Sequence, residues 1–191
     1  MALATLAGAS ARAQEPPPAP ERLAVEAFLW NTSSVAFGTG LVLGGGLELH
    51  YSLQSHGLYL GARLAAGSTD ESTAEWNLTH VHMLASVVGG IEGRFGAGLL
   101  QAQLQVGALC LRQIGKRQQY GRLQADLVPG LERDGWSVGP VASLELGAAV
   151  IFVDPWRLYV QLGPGITVQN VNGKRDAHFF FTSSVGVGRA F

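Results

Sequence analysis

The sequence predicts an all-β protein: a closed, antiparallel, up-and-down transmembrane β-barrel of about eight strands. Three observations predict it. Apolar residues make up 47% of the 191 residues, yet no stretch holds the ~18 uninterrupted apolar residues of a spanning helix. Charged residues are only 14%, against roughly 25% in an average soluble domain. Finally, eight segments alternate apolar and polar residues with period two, which in a strand sorts side chains onto opposite faces. Lipid offers backbone groups no hydrogen-bond partners, so a chain without apolar helices spans it only as a closed barrel.

The amino-terminal residues read as targeting sequence. Met1–Ala9 is a short apolar run, and Ala11-Arg12-Ala13 fits a small-x-small cleavage site before Gln14. No Lys or Arg precedes the run, so residues 1–13 are expected to be a truncated signal peptide. Residues 14–22 follow as a Pro-rich periplasmic lead-in, because prolines cannot donate ladder bonds. The barrel is expected over residues 23–191.

Strand candidates follow in order at Leu23–Thr32, Leu41–Leu53, Leu58–Gly67, His80–Phe95, Leu99–Arg112, Ser137–Val153, Trp156–Val171 and His178–Phe191. The first carries Glu26 on its inner parity. The second sets Leu41, Leu43, Leu47, Leu49 and Tyr51 against Val42, Gly44, Gly46, Glu48 and His50. The third sets Leu58, Leu60, Ala62 and Leu64 against Tyr59, Gly61, Arg63 and Ala65. The fourth holds Glu92 and Arg94 on one parity. The fifth points Leu100, Leu104 and Val106 outward and Gln101, Gln103 and Gln105 inward. The sixth points Val138, Leu144, Leu146, Val150 and Phe152 outward and Ser143 and Glu145 inward. The seventh points Trp156, Leu158, Val160, Leu162 and Ile166 outward and Arg157, Tyr159, Gln161 and Thr167 inward.

Tight connections at Gln54–Gly57, Gly96–Gly98 and Asp154–Pro155 alternate with longer ones near Ser33–Gly40, Ser68–Thr79, Gln113–Trp136 and Asn172–Ala177. Bacterial barrels have short periplasmic turns and long extracellular loops, so both barrel termini are expected on the periplasmic side. Phe152 and Trp156, with Phe95, Tyr51 and Phe191, are expected to form an aromatic belt at headgroup depth.

Charge gives an independent check. Glu26, Glu48, Arg63, Glu92, Arg94, Glu145 and Arg157 all fall on the inner parity. A basic residue on the lipid face at mid-depth costs roughly 2–4 kcal/mol, so this segregation has a cause. A pairing sum of 111 in the second hairpin sets Glu48 opposite Arg63, and a sum of 193 in the hairpin at Gly96–Gly98 sets Glu92 opposite Gln101. The expected result is a polar plug in the lumen. Arg112 and Arg189 fall outward but at strand ends, where long side chains reach the interface.

These features resemble the eight-stranded OmpA/OmpX-type outer-membrane barrels over roughly Leu23–Phe191. The resemblance implies a bacterial outer-membrane location and a last strand read by the barrel-assembly machinery through Phe191, Val187 and Val185. Arg189 and Ser183 depart from that pattern. Members of this architecture differ in activity, so fold alone does not set function.

Other chemistry is thin. The net charge of −1 gives no nucleic-acid footprint, and the single Cys110 cannot form an internal disulfide. His80, His82 and His178 fall inward near the loop rim, within reach of Asp70, Glu71 or Glu75. However, the fourth and last strands occupy opposite walls, so no metal and no cofactor is expected. A lipid A deacylase-like enzyme needs a base within ~3 Å of a nucleophile. No His-x-Ser shares a loop-end strand face. His178 is far from Thr182 and Ser184 along one strand, and His50 and His56 lie near Ser52 and Ser55 at the turn end, away from outer-leaflet lipid. In the loop Gln113–Trp136, Lys116 and Arg117, with Arg112, are candidate contacts to lipopolysaccharide phosphates. The expected function is therefore non-enzymatic: a monomeric barrel that stabilises the envelope or makes surface contacts, with outer-membrane lipid and lipopolysaccharide as partners. The alternatives are a lipid A-modifying enzyme and a soluble lipocalin-like ligand-binding barrel.

Overall fold

The computed structural model describes residues 23–34, 41–53, 57–72, 76–117, 135–171 and 174–191. The expected signal peptide and lead-in, residues 1–22, lie outside them. Eight strands follow one another: β1 (Leu23–Ser34), β2 (Leu41–Ser52), β3 (Leu58–Ser72), β4 (Trp76–Phe95), β5 (Gly98–Arg117), β6 (Gly135–Val153), β7 (Trp156–Val171) and β8 (Lys174–Ala190). Each pairs antiparallel with the next, and β1 pairs with β8, so the sheet closes on itself and leaves no open edge.

Register follows the predicted sums. Glu48 faces Arg63 and His50 faces Gly61, and Glu92 faces Gln101. Tight turns gather at one end, where Gly57 and Gly96 take positive φ of 70° and 63°, a conformation that glycine adopts without a Cβ penalty.

Six strands run further than the sequence suggested at the opposite, loop end, β1 among them by two residues to Ser34. Most of Ser68–Thr79 is strand: β3 continues to Ser72 and β4 begins at Trp76. Likewise β5 continues to Arg117, β6 begins at Gly135 and β8 at Lys174. The physical reason is that ladder hydrogen bonds need only backbone. Beyond the lipid both parities turn polar and period-two alternation disappears, while pairing persists. Asp70 still faces Thr79, whose hydroxyl donates to Asp70 Oδ1 at 2.7 Å. The Ser33–Gly40 connection and the centre of Gln113–Trp136 are not among the described residues.

Polarity is inside-out. Leu29, Leu64, Val87, Leu104, Val138 and Leu146 face outward and are exposed, Leu29 by 69%. Glu26, Glu48, Arg63, Gln103, Gln105, Glu145 and Gln161 are buried inside. Such a surface is stable only in hydrocarbon, and a lipocalin-like soluble barrel would reverse it. The fold is a transmembrane barrel.

Exposed aromatics mark two girdles. Tyr51, Phe95, Phe152, Trp156 and Phe191 lie at the turn end, and Trp136, Phe179 and Phe181 toward the loop end. Along β8, Phe181 and Phe191 share the outer parity ten residues apart. At ~3.3 Å per residue and ~40° tilt this spans about 25 Å, the height of an outer-membrane apolar band. Outward arginines sit at the girdles. Arg112 lies over the Trp136 ring at 5.1 Å, and Arg189 lies over Trp156 at 5.6 Å and Phe191 at 4.8 Å.

Candidate functional site in the barrel lumen

The lumen is filled in three tiers. Toward the loop end Trp30, Val42, Leu84, Leu109, Leu111 and Val141 form a buried apolar cluster against Phe180. Trp30 shares the parity of Glu26 on β1, and the expectation of a polar plug did not include this apolar tier. Space for it is made by Gly165, where an added Cβ would run into the Phe180 ring. Trp30 Nε1 donates to Thr182 Oγ1 at 3.0 Å, tying the indole to the β1–β8 seam. The void among these side chains is about 10 Å³, at the lower limit for one water.

The middle tier is ionic. Arg63 on β3 is 1% exposed and reaches across the barrel. Its Nε donates to Glu48 on β2 and its Nη2 to Gln161 on β7. Nη1 donates to Glu145 on β6 at 2.7 Å and to Gln105 on β5 at 3.1 Å. Phe28 on β1 lies under the guanidinium at 5.0 Å. Arg157 on β7 crosses in the other direction, 2.6 Å from Glu26 on β1 and 3.0 Å from Glu92 on β4. Ser184 on β8 donates to Gln161 at 3.2 Å. Two guanidiniums thus connect side chains from all eight strands. A buried ion pair repays its desolvation only when remaining donors and acceptors are also satisfied. The glutamines do that for two of the carboxylates, Gln103 donating to Glu145 at 3.1 Å and Gln101 to Glu92 at 2.7 Å, while the Glu26 carboxyl and Arg157 Nε have no hydrogen-bond partner among the described residues.

Six of the seven predicted lumen charges join this tier: Glu26, Glu48, Arg63, Glu92, Glu145 and Arg157. Arg94 does not. It keeps the predicted parity but lies past the last lumen layer, exposed, with Nε donating to Gly96 O at 3.3 Å. Strand parity fixes which way a residue points but not its depth, and the turn at Gly96 ends the lumen one layer before Arg94. Conversely, the sequence could not show that Arg63 reaches Glu145 and Gln161, because a cross-lumen contact depends on barrel diameter and not on any one hairpin.

The third tier is a polar vestibule of about 70 Å³ at the turn end, lined by His50, Ser52, Gly57, Tyr59, Glu92 and Arg157. His50 stacks on Tyr59 with centroids 4.6 Å apart, and Tyr59 donates to Gln103 at 2.8 Å. Among the described residues, Glu26, Glu48 and His50 form a cluster of candidate metal ligands whose donor atoms lie within 4.8 Å of one another. The rim histidines do not form one: His82 is buried, His80 and His178 are partly buried, and β4 and β8 stand four strands apart around the ring.

The remaining predicted residues lie on the outer surface. Val185, Val187 and Phe191 face outward along the end of β8 and are exposed. Arg112 sits at the loop-end girdle, facing Trp136 in register. Lys116 and Arg117 continue β5 opposite Asn77 and Trp76, and their side chains lie outside the described residues.

No family model and no curated protein matches the chain. Solved structures do share its fold. Ail, the attachment invasion locus protein of Yersinia pestis, superposes with a TM-score of 0.52 at 8% identity, over 89% of this chain and 97% of Ail. Neisserial surface protein A gives 0.47 at 12%, covering 88% and 96%. The N-terminal β-barrel domain of Pseudomonas aeruginosa OprF gives 0.44 at 17%, covering 88% and 97%. With its closed ring of eight antiparallel strands, apolar exterior and filled lumen, the chain has the architecture of the OmpA/OmpX-type outer-membrane barrels.

Proposed function

We propose that this chain is a non-enzymatic barrel of the bacterial outer membrane that stabilises the envelope and presents its loop end for surface contacts. One observation carries the reading: the lumen is closed twice, by an ionic tier and by an apolar tier. Eight-stranded barrels are narrow enough for side chains to fill, and here, among the described residues, the filling ties strand to strand in both tiers. A conducting or substrate-binding role would need an open cavity reaching both tiers. The orientation is both barrel termini and the tight turns in the periplasm, with the loop end outside. Arg112, Lys116 and Arg117 then stand where lipopolysaccharide phosphates lie, and charge-assisted contacts there would anchor the outer leaflet. Phe191, Val187 and Val185 present alternate apolar side chains to the assembly machinery. The barrel acts as a monomer.

The test combines three measurements on the full chain. It should fractionate with the outer membrane and shift in electrophoretic mobility after boiling in detergent. Liposomes carrying it should not swell in small sugars. Lipid A should have the same mass in cells with and without the protein. Solute flux would refute the closed lumen, and a changed lipid A mass would favour the deacylase-like alternative.

A further inference from the structure

We infer that Glu26, Glu48 and His50 bind a divalent transition-metal ion of the zinc class, entered from the turn-end vestibule. The donor atoms are within 4.8 Å of one another and all three residues are buried. An ion at the centre of such a triangle is at most about 2.8 Å from each; His50 Nε2 and Glu48, now hydrogen-bonded to each other, would exchange that bond for two bonds to the ion at the ~2.0–2.2 Å of zinc to nitrogen and oxygen, moving apart as they do so.

Charge is the second observation. Four carboxylates, Glu26, Glu48, Glu92 and Glu145, meet two guanidiniums, Arg63 and Arg157. Ionised together, the carboxylates outnumber the guanidiniums by two, with Glu92 28% exposed to the vestibule and His50 the other group there that can carry positive charge; unbalanced charge in such a setting is expensive. A divalent ion offsets the excess.

The contacts already leave the right atoms for it. Arg63 takes Glu48 Oε2, leaving Oε1 toward His50. Arg157 Nη2 lies 2.6 Å from Glu26 Oε1, which is also the oxygen 4.0 Å from His50 Nδ1, and neither oxygen of the buried Glu26 carboxyl has a hydrogen-bond partner among the described residues. Glu48 would thus hold Arg63 with one oxygen and the ion with the other, and a turn of the Glu26 carboxyl would let it divide its oxygens between Arg157 and the ion in the same way. The His50 ring is held by its stack on Tyr59. Outer partners of this kind orient ligands and tune metal affinity. The vestibule of about 70 Å³ borders His50 and has room for water as a fourth ligand. One imidazole and two carboxylates suit zinc or its neighbours better than calcium, which takes six to eight oxygens.

The experiment uses the full chain, refolded in detergent micelles, stripped with chelator and titrated with zinc chloride by calorimetry. Cobalt absorption spectra serve as a second readout. One equivalent should bind at micromolar or tighter affinity, with cobalt giving visible bands of a low-coordinate nitrogen–oxygen site. Glu26→Gln and His50→Gln, each confirmed as folded by gel mobility, should weaken binding at least about 100-fold, whereas His178→Gln should not. Zinc should also raise the unfolding temperature of the unaltered barrel, a readout that needs no variant to fold. Absence of stoichiometric binding would overturn the proposal. So would binding that survives both substitutions, or binding lost only on replacing rim histidines.

Discussion

Replacing Arg63 by Met is the sharpest perturbation of this barrel. The methionine keeps much of the side-chain volume but removes the donors to Glu48, Gln105, Glu145 and Gln161. Two carboxylates are left without their cation. The Glu48 side chain is 0% exposed and that of Glu145 2%, so water cannot replace what is lost. Breaking a buried pair from one side costs about 3–5 kcal/mol, or roughly two to four decades in the folded-to-unfolded ratio at 1.4 kcal/mol per decade. Removing the stranded charges as well, in Arg63→Met with Glu48→Gln and Glu145→Gln, should recover much of that, because neutral replacement of a whole buried ionic group is often nearly free. Urea unfolding of the refolded barrel in phospholipid vesicles, followed by tryptophan fluorescence and gel mobility, measures both. A single variant within about 1 kcal/mol of the parent would refute the reasoning, since it would mean solvent reaches the middle tier. A triple variant weaker than the single one would refute it equally.

Two further outcomes follow from the geometry. On the outer face, Leu64→Arg should cost about 2–4 kcal/mol of folding in vesicles, whereas Phe152→Arg at the girdle should cost only about 0–1; equal losses would contradict the assigned depths. Trp30→Ala should cost about 3–5 kcal/mol by emptying the apolar tier, and Trp30→Phe less, with urea midpoints as the readout. Indistinguishable midpoints for these two would show that the tier collapses around the gap.

Much of the architecture was legible in the chain because two-faced strands write their polarity into parity. The Glu48–Arg63 and Glu92–Gln101 pairings could be counted from hairpin sums, since a tight turn fixes register. Other features could not. Strand ends at Ser72, Trp76, Arg117 and Gly135 lie where neither face meets lipid, so their side chains carry no alternation. Arg94 shares parity with Glu92 but not its depth. The reach of Arg63 to β6 and β7 depends on how wide the closed ring is, and Trp30 with Phe180 shows that an inward position need not be polar. The candidate ligand trio drew no attention in the sequence because Glu26 belongs to a different strand from Glu48 and His50, and only the β1–β2 register, with Glu26 opposite Glu48, brings them together.

The ladder between β1 and β8 has a consequence for biogenesis. Trp30 and Ser184, which it pairs, are 154 positions apart. Until the final strand arrives, both flanking strands present bare amides and carbonyls that acyl chains cannot solvate. Stepwise entry into the bilayer, one hairpin at a time, would leave such intermediates stranded. Insertion and ring closure must therefore be a single concerted event, and a chain shortened by its last strand should be lost to aggregation and not held as a smaller barrel.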